Sequence, residues 1–148
     1  MQISTKGRYG LRAMVDMALH AADGPLALRV IAERQDISES YLEQVFTSLR
    51  KAGLIRASRG ALGGYELSRA PQDITTGDIL RALEGPIVPV FCVDDTDSKE
   101  CHREKFCHTR SFWEELKNTI NDFLDATTLQ DLVERAQNMQ LEEPMFYI

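Results

Sequence analysis

Residues 28–68 carry a succession of local signals that few folds accommodate. The apolar positions Leu42, Val45, Phe46 and Leu49 follow the i, i+3, i+4, i+7 spacing of a helix with one buried face. This helix is expected over 38–52, with Gly53 as its C-terminal cap residue. Before it, Leu28 to Gln35 reads as a short helix with Val30, Ile31 and Ala32 available for a core, and Asp36-Ile37-Ser38 as a brief turn. A short helix, a tight turn and a longer amphipathic helix form a helix-turn-helix. Two extended runs follow, 54–59 and 65–68, around Gly60-Ala61-Leu62-Gly63-Gly64. They predict a β-hairpin, and a hairpin directly after a helix-turn-helix is the wing of a winged helix. The glycines have no GK[ST] and no strand-turn-helix context, so they are not read as a phosphate loop.

The remaining elements are helical. The run from Ser4 to about Ala22 has two apolar stripes, Leu11-Met14-Val15-Ala18 and Ala13-Met17-Ala21, as in a helix buried from two sides. Thr75, with Asp78 three residues on, opens a helix to about Leu83 that Gly85-Pro86 stops. A long helix starts near Thr109 or Ser111, with Phe112, Leu116, Ile120, Phe123 and Leu124 in one stripe and Glu114, Glu115, Lys117 and Asp122 turned away. Thr128 caps a last helix with Leu129, Leu132, Val133 and Ala136 inward, and the tail ends in Met145-Phe146-Tyr147-Ile148. The fold class is therefore mainly α with a small β-hairpin wing: a winged helix-turn-helix domain over 1–85, a cysteine-bearing loop over 86–108, and a dimerisation helix with a C-terminal helix and tail over 109–148. The stripe of the long helix is too long for so small a domain to cover, and its natural cover is the same helix of a second chain.

Charge separates the two halves. The net charge of −6 hides +2 over residues 1–81 and −8 over 82–148, so the N-terminal part can face phosphate. On the second helix of the helix-turn-helix the outward face holds Ser40, Gln44, Thr47 and Lys51, with Tyr41, Ser48, Glu43 and Arg50 along its flanks. Such side chains reach base edges in a major groove, Gln towards adenine and Glu towards cytosine N4. A solvated face, or a capping box from Ser40 to Glu43, is the plain alternative. Arg59 stands at the wing tip, where an arginine can enter a narrow minor groove, while Arg56 is placed to meet phosphate. Lys6, Arg8 and Arg12 mark a helix start where backbone N–H groups and basic side chains can together hold phosphate.

The three cysteines, Cys92, Cys101 and Cys107, lie within 16 residues in a C-x8-C-x5-C spacing. An odd number cannot pair internally, and the spacing is no common zinc pattern. Thiolates suit iron–sulfur clusters, zinc or Cu(I), and three of them leave a coordination position to another residue type. His102 and His108 are nearest, with Asp94, Asp95, Asp97 and Glu104 as harder donors. No apolar run is long enough to span a membrane, no secretory signal is recognised at the N-terminus, and the cysteines form no secreted disulfide framework, so the expected location is the cytoplasm.

Together, Ser4-Thr5-Lys6-Gly7-Arg8-Tyr9, Ser40-Tyr41-Leu42-Glu43-Gln44, Leu49-Arg50-Lys51-Ala52-Gly53-Leu54, Arg59-Gly60-Ala61-Leu62-Gly63-Gly64-Tyr65 and the clustered cysteines resemble the bacterial winged-helix regulators of iron–sulfur cluster biogenesis, the IscR-like group. The resemblance covers essentially the whole chain. It implies a homodimeric transcriptional repressor bound to double-stranded promoter DNA at a two-fold site, with no membrane and no small-molecule substrate. It implies one iron–sulfur cluster per chain, 2Fe–2S, on Cys92, Cys101 and Cys107. Ser40, Tyr41, Glu43 and Gln44, with Arg59, match the group's DNA-reading positions, and Glu43 is where cluster-dependent preference is expected to act. Two departures stand out. The first cysteine gap is eight residues where the group commonly has five, and Arg110 occupies the position of its histidine ligand. His108 is then the expected fourth ligand, with His102 as the alternative. Arg8 stands where the nitric-oxide-sensing relatives take an aspartate. Competing readings are a nitric oxide or redox sensor of the same fold and a zinc-stabilised winged-helix DNA-binding protein. An enzyme is not expected, since no cysteine–histidine–acid arrangement is evident.

Overall fold

The computed structural model describes residues 1–97 and 101–142, with side chains to Leu141. Its elements run α1 (Thr5–Leu19), α2 (Leu28–Gln35), α3 (Glu39–Lys51), β1 (Ile55–Ser58), β2 (Gly64–Leu67), α4 (Thr76–Glu84), α5 (Arg110–Ala126) and α6 (Leu129–Glu142), with single 3-10 turns between several of them. The tail from 143 and residues 98–100 lie outside the described residues.

Helices α1, α3, α4 and α6 begin where a side chain satisfies orphan N–H groups, whereas α2 and α5 have no side-chain cap. Ser4 Oγ accepts from Gly7 N, Ser38 Oγ from Tyr41 N, and Thr75 forms a full capping box with Asp78. Thr128 and Asp131 make the same reciprocal pair at the start of α6. The capping box read from Ser40 to Glu43 is absent: Ser38 is the cap of α3, which frees both residues. The first helix is shorter than expected, ending at Leu19 before a separate turn at Ala21–Asp23. Asp36 ends α2 in the left-handed region (φ 53°), a conformation that Asp tolerates through its short polar side chain.

The core joins all the helices except α5. Leu42, Val45, Phe46 and Leu49 of α3 are buried with Met14 and Met17 of α1, Ile31 of α2, Ile79 and Leu83 of α4, and Leu129 of α6. The last helix thus folds back into the winged domain's own core. Helices α1 and α4 approach so closely that a Cβ at Gly10 would lie 2.1 Å from Leu83 Cδ1. The hairpin is antiparallel, pairing Ile55 with Leu67 and Ser58 with Gly64, and Leu26 adds a bridge to Tyr65. Tyr65 packs edge-on to Phe46 with ring centroids 4.9 Å apart, which fixes the wing relative to α3.

One buried charge organises the helix-turn-helix. Asp16 of α1, 2% exposed, accepts two hydrogen bonds from Arg34 at 2.6 and 2.9 Å and one from Gln35 at 2.9 Å. The carboxylate in turn holds the Arg34 guanidinium above its ordinary pKa. These bonds fasten the end of α2 to the last turn of α1. Asp16→Ala is expected to lower stability by about 1–3 kcal/mol, because charge-assisted hydrogen bonds are lost together. Urea unfolding at fixed protein concentration checks this, and an unchanged midpoint would remove the network from the packing of the helix-turn-helix.

Candidate nucleic-acid interface and cysteine segment

Burial of one face of α3 leaves Ser40, Glu43 and Gln44 exposed on the other. Among the described residues, the side chains of Glu43, Gln44 and Arg59 make no hydrogen bond or ion pair, so they stand free for a partner. Tyr41 is half-buried, edge-on to Tyr9 with centroids 5.9 Å apart, and presents only part of its ring. At the wing, Gly63 N donates to Gly60 O, and Arg59 is exposed at the tip.

Three of the basic features have partners within the chain. Arg56 does not stand free for phosphate: it pairs across the hairpin with Glu66 at 2.9 Å, in register. Arg12 is tied to the Gln35 carbonyl and lies 5.1 Å above the Tyr9 ring. Two N–H groups at the start of α1 are already taken, because Glu84 Oε1 accepts from Ser4 N at 2.9 Å and Gly7 N at 3.1 Å, and also from Ser4 Oγ at 2.5 Å. An internal carboxylate sits where a phosphate was expected, as favoured by the helix dipole. Gly7 permits that approach, since a Cβ there would be 2.3 Å from Glu84 Oε1. Lys6 is half-buried and Arg8 exposed beside this clasp.

The cysteines are all free and half-buried. Cys92 lies in the turn Phe91–Val93, Cys101 precedes the turn Glu104–Phe106, and Cys107 ends that turn just before α5. The described residues do not gather three His, Cys, Asp or Glu around a common point. His102 and His108 are both exposed. The harder donors are engaged elsewhere: Asp94 accepts from Thr96, Asp95 pairs with Lys117, and Glu104 with Arg110. Cys107 is the thiol whose surroundings act on its charge. The Thr109 hydroxyl and N–H, with the Arg110 N–H and the Arg103 charge, hold its pKa below the ordinary thiol value.

Lys117, expected to point into solvent, instead turns to the cysteine segment. Its Nζ donates to Val93 O and Asp95, both at 3.0 Å. Neither it nor Glu84 nor Arg81 was singled out from sequence. A signal existed for part of this: Arg110, Glu114, Lys117, Asn121 and Asp125 recur at four- and three-residue spacing, a polar stripe beside the apolar one. The apolar stripe itself is uncovered. No residue of α5 is fully buried, and Phe112 and Phe123 are 57% and 61% exposed.

A family model described as Rrf2, iron-dependent transcriptional regulator, matches residues 3–135. The chain belongs to the Rrf2 family. As an Rrf2 protein it is a DNA-binding transcriptional regulator and not an enzyme. Among its relatives, the regulator CymR of Bacillus subtilis is 44% identical over 148 residues and the whole of both chains. IscR of Aliivibrio salmonicida is 40% identical over 139 residues, covering 90% of this chain and 77% of that protein. In structure, IscR of T. potens matches with a TM-score of 0.78 at 44% identity, covering 99% of this chain and 97% of the other. The winged-helix fold and the likeness to IscR expected from the motifs both hold. No helix among the described residues is long and apolar enough to cross a membrane.

The lowered pKa of Cys107 has a pH signature. In metal-stripped protein its alkylation should reach half-maximal rate at lower pH than in the Thr109→Val variant, which loses the hydroxyl that stabilises the thiolate. Iodoacetamide labelling followed by peptide mass analysis checks this, and coincident pH profiles would remove Thr109 as the cause.

Proposed function

We propose that this Rrf2 regulator is a homodimeric repressor that reports iron–sulfur status through a 2Fe–2S cluster held by Cys92, Cys101 and Cys107. His108 supplies the fourth position, with His102 as the alternative. The observation that carries the reading is the placement of three free thiols in one segment that leads directly into α5. The donor set fits: three soft ligands, no disulfide, half-buried, in a spacing wide enough to reach around a group larger than one ion. When bound, the cluster supplies thiolate-ligated iron whose presence follows iron and sulfide supply. The chain's own part is to keep Cys107 towards thiolate and to place the segment against α5.

The same reading assigns the rest of the chain. Residues 1–85 form the DNA-binding domain, 86–108 the cluster loop, and 109–148 the dimerisation helix followed by the C-terminal helix and tail. The exposed Phe112 and Phe123, with half-buried Leu116 and Ile120, meet the same stripe of a second chain. A two-fold dimer then reads a two-fold promoter site, in the cytoplasm, where thiols stay reduced. Ser40, Tyr41, Glu43 and Gln44 enter the major groove, Arg59 the minor groove, and Lys6 and Arg8 contact phosphate. A second reading is favoured by the full-length match to CymR, described as the global cysteine regulator of B. subtilis. On that reading the protein answers to thiol metabolites and carries no iron.

An anaerobic visible spectrum of the purified protein, with iron, acid-labile sulfide and zinc assayed on the same sample, separates the readings. About two iron and two sulfide per chain with visible bands are expected; a colourless protein, with or without zinc, rules the cluster out. Cys92→Ala, Cys101→Ala and Cys107→Ala should each abolish the colour while leaving a folded dimer, and full colour in all three would sink the ligand assignment. Arg59→Ala should weaken specific DNA binding by about 1–3 kcal/mol at fixed salt. An unchanged affinity would take the wing out of the interface.

A further inference from the structure

The polar side of α5 joins two parts of the molecule that sequence does not connect. From its first turn, Arg110 Nη1 donates to the carbonyl of Cys92 at 3.1 Å. Two turns on, Lys117 Nζ donates to the carbonyl of Val93 at 3.0 Å. One turn further, Asn121 Nδ2 donates to the carbonyl of Ile87 at 2.9 Å. Three side chains of one helix thus hold three backbone carbonyls of the segment that contains the first cysteine. The far end of α5 grips the winged domain. Arg81 of α4 donates to Asn121 Oδ1 at 2.8 Å and to both oxygens of Asp125 at 2.7 and 3.0 Å, and Thr76 Oγ1 donates to Leu124 O at 2.7 Å. From α4 the contacts continue to α1 through Glu84 and through Leu83 against Gly10.

We propose that Arg110 and Lys117 are positioning residues that transmit the ligation state of Cys92 through α5 to the DNA-reading domain. This rests on the iron–sulfur reading above and adds its route. The physical basis is that both cations reach the backbone at the ligand, besides the carboxylates they pair with, Glu104 and Glu114 for Arg110 and Asp95 for Lys117. A thiolate drawn to metal reorients its own peptide, and the carbonyls of Cys92 and Val93 are the groups that Arg110 and Lys117 fix. The Lys117 side chain is only 16% exposed, whereas its counter-ion Asp95 is 88% exposed. The surface ion pair is therefore worth little, and the carbonyl is the anchoring acceptor. A helix of 17 residues moves as a body, so a shift at its first turns is delivered at Asn121 and Asp125, where α4 is held. Coupling of this kind is a free energy between two sites and is measured as such.

The test compares Arg110→Met/Lys117→Met with the conservative pair Arg110→Lys/Lys117→Arg, the surface control Asp95→Asn and the wild type. Each is prepared with cluster and metal-stripped, under nitrogen. Affinity is measured at fixed salt for one duplex that the wild-type protein has selected from a random pool. For the wild type, the two forms should differ by about fivefold or more. In the Met pair the difference should shrink to within about twofold while the visible spectrum and iron content stay at wild-type level. The conservative pair should restore it, and Asp95→Asn should match wild type. In metal-stripped protein, amide hydrogen exchange over residues 87–97 and the first turns of α5 should quicken in the Met pair alone, a readout that needs no cluster. A coloured Met pair that keeps the full difference overturns the coupling and leaves the cluster reading intact. Loss of colour in the Met pair overturns it too, by making the residues part of the cluster's holding. A wild type without iron and sulfide overturns both readings, and the spectrum alone distinguishes that case.

Discussion

The burial of Leu42, Val45, Phe46 and Leu49 is the constraint from which the rest of the structure follows. Each such side chain removed from water contributes roughly 1.5–3 kcal/mol, and together they commit α3 to one rotation about its axis. That rotation turns Ser40, Glu43 and Gln44 outward. The same residues position the neighbours: Phe46 receives Tyr65 and so sets the wing, while Val45 and Leu83 meet beside Gly10 and set α1 against α4. The hydrogen bonds of Asp16 to Arg34 and Gln35 then fasten α2. A face of exposed polar groups is thus presented by a scaffold whose own polar groups are satisfied, since no buried side-chain nitrogen or oxygen lacks a partner among the described residues.

Helix α5 obeys different rules. It has one apolar stripe and one polar stripe, and neither is spent on the central core. The polar stripe is occupied by the cysteine segment and by α4, while the apolar stripe stays open to solvent. A helix loaded on one side by a prospective metal-binding segment and bare on the other is suited to relate events within a protomer to its pairing with a second. The acidic balance of residues 82–148 belongs to this part of the chain and not to the helix-turn-helix, so overall charge says little about nucleic acid here.

Elements whose identity depends on local spacing were legible in the sequence. The period of α3, the Thr75 and Thr128 caps and the glycine hairpin all lie where local physics puts them. What stayed hidden depends on distant partners. Nothing near Arg56 in sequence announces Glu66, ten residues on and across a hairpin, as the group that claims it. Glu84 reaches the start of α1 over 80 residues of sequence, and Lys117 turns inward because a loop 24 residues earlier offers it a carbonyl. Charged side chains with several extended rotamers take their partners from tertiary structure, and periodicity assigns them to solvent by default. The cysteines were conspicuous for the opposite reason: their clustering is local even though their ligation is not.

The Glu84 clasp bears on the ionic-strength dependence of the regulator. Binding to duplex DNA draws much of its free energy from counterions set loose as lysines and arginines neutralise phosphates. A helix start that already holds a carboxylate has part of its positive charge balanced from within and sets fewer counterions loose. On the proposed interface the salt slope then rests mainly on free side chains such as Arg8 and Arg59, and complexes with DNA persist to higher salt than a fully phosphate-seated α1 would allow.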